Sequence, residues 1–156
     1  MRTFDVGDKI SVDNGATVYI VEKIHLLTTQ AKTMDGKLVY LRNDILLATS
    51  VQNWRKSYNV NYSLEIIVPF DTPREKIVHF KKHMEHYFSK NSSEWHGDPI
   101  FRVELTGSDP AKLKIGIYCD LKYTWAETAK WKPATTELVL HAQQVCNKLD
   151  INQVKK

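Results

Sequence analysis

The stretch from residue 4 to residue 57 decides the fold, because short β-prone segments alternate in it with turn residues. The segments are rich in β-branched and aromatic side chains, which strands prefer. Its motifs, in order, are Phe4-Asp5-Val6-Gly7-Asp8, Val21-Glu22-Lys23-Ile24, Leu27-Thr28-Thr29, Asp35-Gly36-Lys37, Arg42-Asn43 and Asn53-Trp54-Arg55-Lys56-Ser57. About five short strands in such a stretch predict a small β barrel, which removes the edges of a sheet by closing on itself.

Turn residues set the limits of the predicted strands. Asp13, Asn14 and Gly15 predict a turn after the first strand, and Asp35-Gly36 predicts a two-residue hairpin loop before the fourth. The five predicted strands cover residues 9–12, 17–24, 26–33, 38–41 and 51–54. The pattern changes at residues 58–61, so we expect one domain at residues 1–58 and a second at residues 59–156.

The second half alternates strands with helices. Residues 62–68 alternate in polarity, and residues 72–75 fit a capping box with proline at the first helical position. A hairpin with its turn at residues 107–110 follows, then a second capping box at residues 124–127 and a helix that Pro133 kinks or restarts. This order predicts a ferredoxin-like α+β sandwich without its last strand, since the polar residues 151–156 are too few to supply one.

Composition excludes several classes of protein. The chain has 156 residues, 22 basic and 18 acidic, and its positive excess is spread along the chain rather than gathered in one segment. No segment approaches the roughly 20 apolar residues of a membrane span. Cys119 and Cys146 make no disulfide framework, and we interpret both as free thiols in a reducing compartment.

Three histidines are the one metal-like pattern in the sequence. His79, His83 and His86 lie at helical spacing, so a weak metal-site hypothesis rests on them. They lie opposite the apolar stripe of their helix, however, and no acidic or thiol ligand completes the set. We therefore interpret them as a solvated basic face, with a pH-sensitive surface as the alternative.

Catalytic motifs are absent from the sequence. The glycines form neither a phosphate-binding loop nor a dinucleotide fingerprint, and no nucleophile elbow is present. We expect no enzyme activity and no cofactor. Four tryptophans, Trp54, Trp95, Trp125 and Trp131, could stack on nucleobases, but core or interface packing is the favoured interpretation.

The motifs resemble the family of MscS-type mechanosensitive channels over nearly the whole chain. The residues that carry this resemblance are Phe4, Gly7, Asp8, Asp35, Gly36, Asn43, Asn53 and Trp54. Val21-Glu22 and Leu27-Thr28-Thr29 are more similar to plant and algal members than to bacterial ones. Two departures stand out: Arg42 replaces a usual proline, and Thr17 and Tyr19 replace a usual glycine pair.

This resemblance implies a structural role. It implies an Sm-like β barrel in a ring below the pore and a ferredoxin-like α/β domain in a cytoplasmic cage with side portals for ions. The expected partner is the chain itself, in a homo-heptamer on the cytoplasmic face of a plasma or organellar membrane. The membrane would be reached only through helices that this stretch lacks, so we expect the natural polypeptide to begin upstream of Met1.

Two other functions stay open at this point. One is an Sm-like nucleic-acid-binding module, although we expect no nucleic acid partner. The other is a small-molecule sensor built on the ferredoxin-like half, a fold that hosts many functions. The isolated stretch is expected to be a monomer or a weak oligomer, because a ring interface loses avidity when some of its contacts are removed.

Overall fold

A computed structural model of the chain describes residues 3–13, 15–107 and 111–154. The described residues divide into two compact units. The first contains the chain up to Tyr58 together with Thr124–Glu127, and the second contains the other described residues. The predicted turn residues Asn14 and 108–110 lie outside the described residues.

The first unit is one antiparallel sheet with a short helix. Its elements are β1 (Lys9–Val12), β2 (Thr17–Ile24), β3 (Thr28–Thr33), β4 (Leu38–Arg42), α1 (Asn43–Ala48) and β5 (Val51–Asn53). The sheet order is β4-β3-β2-β1-β5, which leaves β4 and β5 at its two edges. A register shift between Val21 and Lys23 makes a bulge at Glu22, which bends and twists β2.

Small and β-branched side chains form the core of this unit. Ile10, Val21 and Ala31 are buried on three adjacent strands, and Leu46 of α1 is buried with them. The strand positions agree with the alternation in the sequence, but α1 was not predicted. Its six residues follow β4 directly, and they are too few to show a helical repeat.

The β3–β4 hairpin confirms the predicted turn but not its length. The Thr33 backbone N–H donates to the Lys37 carbonyl at 2.8 Å, and the Gly36 N–H donates to the Thr33 carbonyl at 3.0 Å. Gly36 has a φ of 90°, which an L side chain rarely adopts. The loop therefore has three residues, Met34 to Gly36, with a bulge at the glycine, and the two-residue prediction was wrong.

The second unit places two helices against a three-stranded sheet. Its elements are β6 (Val60–Pro69), α2 (Arg74–Lys90), β7 (Ile100–Thr106), β8 (Lys112–Leu121) and α3 (Thr128–Lys148). All pairs are antiparallel in the order β6-β8-β7, as in a ferredoxin-like sandwich without its fourth strand. The predicted mixture of β and α+β structure is confirmed.

Aromatic and aliphatic residues fill the core of the second unit. Phe80, Met84 and Phe88 of α2 are buried, as their helical spacing predicted. Trp95 is fully buried and meets Phe88 edge to face at 5.3 Å. Leu138 on α3 is also fully buried. The favoured interpretation of Trp95 as a core residue is therefore confirmed.

The predicted capping boxes fail in different ways. Thr72 Oγ1 donates to the Pro69 carbonyl instead of capping α2, whose N-cap is Pro73 without a side-chain hydrogen bond. Glu127 does accept a hydrogen bond from the Thr124 N–H at 2.9 Å, but this turn precedes α3. The helix α3 then continues through Pro133, so the proline does not start a fresh helix.

The end of α3 is a Schellman motif. Asp150 has a φ of 52°, and its N–H donates to the Asn147 carbonyl. The Ile151 N–H donates to the Cys146 carbonyl at 2.9 Å, and the Ile151 side chain is buried. After this turn, the Val154 N–H donates to the Ile67 carbonyl of β6 at 2.9 Å.

Both cysteines are free, as predicted, and both are buried. Burial raises the pKa of Cys119 to about 12, with a smaller contribution from the charge of Asp120. Burial also raises the pKa of Cys146, although a hydrogen bond with Gln153 opposes the shift. Within the described part of the chain, no helix is long and apolar enough to cross a membrane.

Candidate functional site

The candidate site begins with a contact between the two ends of the first unit. Asp8 is 2% exposed and lies just before β1, while Asn53 ends β5. The Asn53 side-chain amide donates to Asp8 Oδ2 at 2.7 Å, and the Asp5 N–H donates to the same oxygen at 2.9 Å. We call this pair the Asp8–Asn53 clasp.

Asn53 also organises the turn that follows β5. Its side-chain oxygen accepts hydrogen bonds from the backbone N–H groups of Arg55 and Lys56, at 3.0 and 3.1 Å. Ser57 Oγ donates to the Asn53 carbonyl at 2.6 Å. One side chain therefore fixes both the start of the unit and the turn at its end, because its amide donates to Asp8 while its oxygen accepts from the turn.

The clasp favours an ionised Asp8. Burial by itself would raise the pKa of this carboxyl, but four interactions outweigh it. They are the hydrogen bonds from Asp5 and Asn53 and the positive charges of Lys56 and Arg55. The Arg55 guanidinium lies 3.6 Å from Asp8 Oδ1, and the pKa of Asp8 is lowered overall.

Gly7 positions the backbone beside the clasp. Its φ is 87°, and its N–H donates to the Val21 carbonyl at 2.8 Å. The Val21 N–H donates in return to the Asp8 carbonyl at 2.9 Å. The glycine thus allows residues 7 and 8 to pair with β2 while the Asp8 side chain turns into the unit.

Trp54 is packed within the first unit rather than free in solvent. Its indole N–H donates to Ser11 Oγ at 3.2 Å, and Lys9 Nζ lies 4.9 Å from its ring centroid. Trp125 meets it edge to face at 6.3 Å. Trp125 lies outside the segment that was predicted to form this domain, so no pattern in that segment could predict this contact.

Asn43 forms a second polar centre at the start of α1. Its side-chain amide donates to the carbonyls of His25 and Leu26, at 2.9 and 3.1 Å. Its side-chain oxygen accepts a 2.7 Å hydrogen bond from the hydroxyl of Thr29, which is fully buried. Asn43 therefore holds the β2–β3 loop in place, while its neighbour Arg42 pairs with Asp44 at the surface.

An apolar groove lies beside Asn43. Its volume is about 360 Å³, and Phe4 lines it together with Asn43. Two of its leucines are strongly exposed: Leu26 at 93% and Leu47 at 84%. We call these two residues the Leu26–Leu47 patch. Exposed leucines beside a groove are typical of a surface that another polypeptide covers.

The Asp35-Gly36 turn lies away from this groove. It closes the end of β3 and β4 opposite to the end where Thr28 pairs with Arg42. Lys37 Nζ lies 2.8 Å from Asp35 Oδ2, and Thr33 Oγ1 donates to the other carboxylate oxygen. The hydrogen bond from Lys37 is the main cause of the lowered pKa of Asp35.

The histidines do not form a metal site. His79 and His86 are exposed on α2 and His83 is half-buried. Among the residues that the structure describes, no three side chains of metal-binding type are close enough to hold an ion. A fourth histidine, His141 of α3, was missed by the sequence reasoning, although it stacks on Tyr87 at 4.5 Å.

Sequence comparisons agree with the motif pattern. The β-domain of mechanosensitive ion channels matches residues 1–56. Mechanosensitive ion channel protein 10 of Arabidopsis thaliana is 31% identical over 153 residues, which are 97% of this chain and 20% of that protein. Mechanosensitive ion channel protein BA of Emericella nidulans is 28% identical over 127 residues, 79% of this chain and 13% of that protein.

Solved structures share the fold. The cryo-EM structure of Arabidopsis thaliana MSL1 has a TM-score of 0.78 and 17% identity, and the match covers 99% of this chain and 54% of that one. The crystal structure of Helicobacter pylori MscS in its closed state has a TM-score of 0.73 and 15% identity, with 99% and 57% covered. The chain spans a fifth or less of the length of the two channel proteins from Arabidopsis thaliana and Emericella nidulans. From its motifs, its sequence similarity and its fold together, this chain belongs to the MscS-type mechanosensitive ion channel family.

Proposed function

We propose that this chain is the vestibule part of a mechanosensitive ion channel, on the cytoplasmic face of a membrane. The observation that carries the proposal is the 31% identity with a mechanosensitive channel protein along 97% of the chain. The two folded units support it, because they reproduce the fold of channel structures from a plant and a bacterium. In this role the chain supports ion flux and catalyses no reaction.

The two domains have different tasks in this proposal. Residues 1–58 form an Sm-like β barrel that contributes to a ring below the pore. Residues 59–156 form a ferredoxin-like α/β domain that contributes to the wall of a cage with ion portals. The bulge at Glu22 favours closure of the first sheet into a barrel, because bulges bend strands.

The motif residues are assembly elements rather than catalytic ones. The Asp8–Asn53 clasp and Gly7 fix the residues that precede β1. Asn43 and Phe4 line the apolar groove. Asp35, Gly36 and Trp54 stabilise the turn and the packing of the same unit. These arrangements support a rigid module that joins other copies of itself.

The proposed partner is the chain itself, in a homo-heptamer of the full-length channel. The Leu26–Leu47 patch supports this, since two large apolar side chains that are more than four-fifths exposed lose contact with water on assembly. Ions are the only small species that the proposal requires, and they pass through portals without a fixed site.

The experiment that tests this function is a chimeric channel. The matching segment of the Arabidopsis channel protein 10 is replaced by this chain, and pressure-activated current is recorded from membrane patches. The chimera should give tension-gated current, and Leu26→Glu should reduce it strongly. Met34→Glu is the matched control, because Met34 is 60% exposed but lies in the β3–β4 turn, away from the groove. A chimera that reaches the membrane and stays silent at every pressure argues against the function.

A further inference from the structure

Backbone hydrogen bonds identify the residues of β8 that serve its outer neighbour, β7. Leu121 pairs with Val60 of β6, so its bridge to Trp95 lies on the other side of β8, the side of β7. On that side the His96 N–H donates to the Asp120 carbonyl at 2.9 Å. Backbone groups alternate in direction along an antiparallel pair, so Asp120 and every second residue before it on β8 direct theirs toward β7.

The same alternation determines which residues of β7 have backbone groups at the free edge of the sheet. The register of β7 with β8 is unbroken along the strand, and Arg102 lies opposite Gly116. Arg102 and the other even-numbered residues of β7 therefore bond β8. Phe101, Val103 and Leu105 direct their N–H and C=O groups outward. Among the described residues, no backbone hydrogen bond from another element reaches these three.

These three residues also form an exposed apolar surface, which we call the β7 strip. Val103 is 49% exposed and Leu105 is 64% exposed, although Val103 lies opposite the buried Ile115. A cavity of about 420 Å³ lies beside them, and Phe101 and Val103 line it together with residues of α2. Residues 100–106 contain neither proline nor a bulge, so nothing in the strand itself prevents another strand from pairing with it.

The charges of β7 select one register for pairing with a second copy of the strand. Outward residues must meet outward residues, so the three antiparallel registers with the longest overlap are centred on Arg102, Val103 and Glu104. A centre at Arg102 or at Glu104 places two like charges opposite each other, which destabilises a pair. A centre at Val103 instead places Arg102 opposite Glu104 of the other copy on both sides of the two-fold axis. Glu104 Oε2 lies 3.3 Å from Lys114 Nζ of its own chain, which leaves Oε1 for this pair.

We propose that β7 is an interaction surface for a second copy of this chain, which adds its own β7 antiparallel to the free edge with Val103 at the two-fold axis. The two three-stranded sheets then form one continuous sheet, as in other cases of strand addition. Phe101 of each copy exchanges backbone hydrogen bonds with Leu105 of the other, and Val103 does so with its own counterpart. The side chains of the two β7 strips pack together and lose contact with water.

This contact differs from the contacts of the proposed ring. A two-fold contact uses the same surface on both copies, whereas a ring of seven copies is closed by head-to-tail contacts between different surfaces. The β7 contact therefore joins copies that belong to different rings. It goes beyond the proposed function and does not depend on it.

Sedimentation equilibrium of the whole chain over a range of concentrations tests the proposal. The unaltered chain should form a dimer, and Arg102→Glu should weaken it at least about tenfold, because two pairs of like charges then lie opposite each other. The double variant Arg102→Glu with Glu104→Arg restores opposite charges in the same register and should recover the dimer. Lys82→Glu, at an exposed position of α2, makes the same change in net charge and should leave the dimer unchanged.

Two variants of Val103 separate backbone pairing from side-chain contact. Val103→Pro removes an N–H that points outward and bonds no residue of β8, so the sheet should remain while the dimer is lost. Val103→Ala keeps this N–H and should weaken the dimer much less. The melting temperature of each variant reports whether the fold is intact.

Three results overturn the proposal. The first is a chain that stays monomeric at every concentration, and the second is a dimer that survives both Val103→Pro and Arg102→Glu. The third is assembly into rings of seven that neither variant affects and that do not contact one another. This third result leaves the proposed function intact, so the two proposals fail separately.

Discussion

The side-chain amide of Asn53 donates a 2.7 Å hydrogen bond to the buried carboxylate of Asp8, across 45 positions of sequence. Asp8 lies just before β1 and Asn53 ends β5, so the hydrogen bond joins the two ends of the segment that forms the sheet. Asp8 is ionised in this environment, since hydrogen bonds and two nearby positive charges outweigh the effect of burial on its pKa. Loss of this hydrogen bond should destabilise the chain, because a buried charge without its donor is costly.

Removal of the clasp should destabilise the chain. Asn53→Ala takes one donor from Asp8 and leaves the N–H groups of Arg55 and Lys56 without their acceptor. We expect a loss of about 1–3 kcal/mol in the free energy of unfolding, measured by urea titration. Glu85→Ala is the control, because its exposed pair with Lys81, at 3.7 Å, should contribute less than about 0.5 kcal/mol. Equal midpoints for the two variants contradict the role of the clasp.

Acid should weaken the chain through Asp8. Its folded pKa lies below the ordinary value of 3.8, so its stabilising effect is complete above that value. The effect is lost as the pH falls through the lowered pKa, because the unfolded chain then binds the proton first. Asp8→Asn should flatten the dependence of stability on pH between about pH 5 and pH 2. Asp71→Asn, an exposed carboxylate in the other unit, is the matched variant and should leave that dependence unchanged.

A second pH effect is expected at the contact of α2 and α3. Burial, together with the positive charges of His83 and His86, lowers the pKa of His141 below 6.5. The folded chain therefore disfavours a charged His141, and stability should decline as the pH falls below that value. Titration of the imidazole by NMR gives the pKa directly. His141→Phe keeps a ring against Tyr87 and should reduce the decline, whereas the exposed His79→Gln should not.

Replacement of Gly116, on β8, by alanine should destabilise the chain. A Cβ at Gly116 would lie 3.0 Å from Cε2 and 3.1 Å from the hydroxyl of Tyr118, whose ring also meets Arg102 at 5.6 Å. Gly116→Ala should cost about 1 kcal/mol, since the ring must shift. In a Tyr118→Ala background the same change should cost less. Additive effects in this double-mutant cycle rule out the contact as the cause.

Much of the fold was accessible from the sequence because its signals are local. The alternation in residues 17–24 and the buried stripe of Phe80, Met84 and Phe88 follow directly from the side-chain periods of strands and helices. The motifs from Phe4 to Ser57 also identified the family, because their order along the chain resembles the order of motifs in its members.

The parts that were missed depend on tertiary contacts. The helix α1 is too short to have a period, and Thr72 bonds Pro69 instead of capping α2 because a nearby carbonyl competes for its hydroxyl. Trp125 and His141 each meet an aromatic partner far away in sequence, at Trp54 and Tyr87. No pattern within a single element predicts such pairs. The sequence motifs named Asp8, Asn43 and Asn53, but no pattern in them predicted the hydrogen bonds that these side chains make.

The two buried cysteines make the chain a convenient subject for site-directed labelling. A thiol reacts as its thiolate, and both Cys119 and Cys146 are buried with raised pKa values, so neither should react with maleimides at neutral pH while the chain is folded. A single cysteine introduced at an exposed position is then the one reactive thiol of the folded protein. Spin labels or fluorophores can therefore be attached without replacing either native residue.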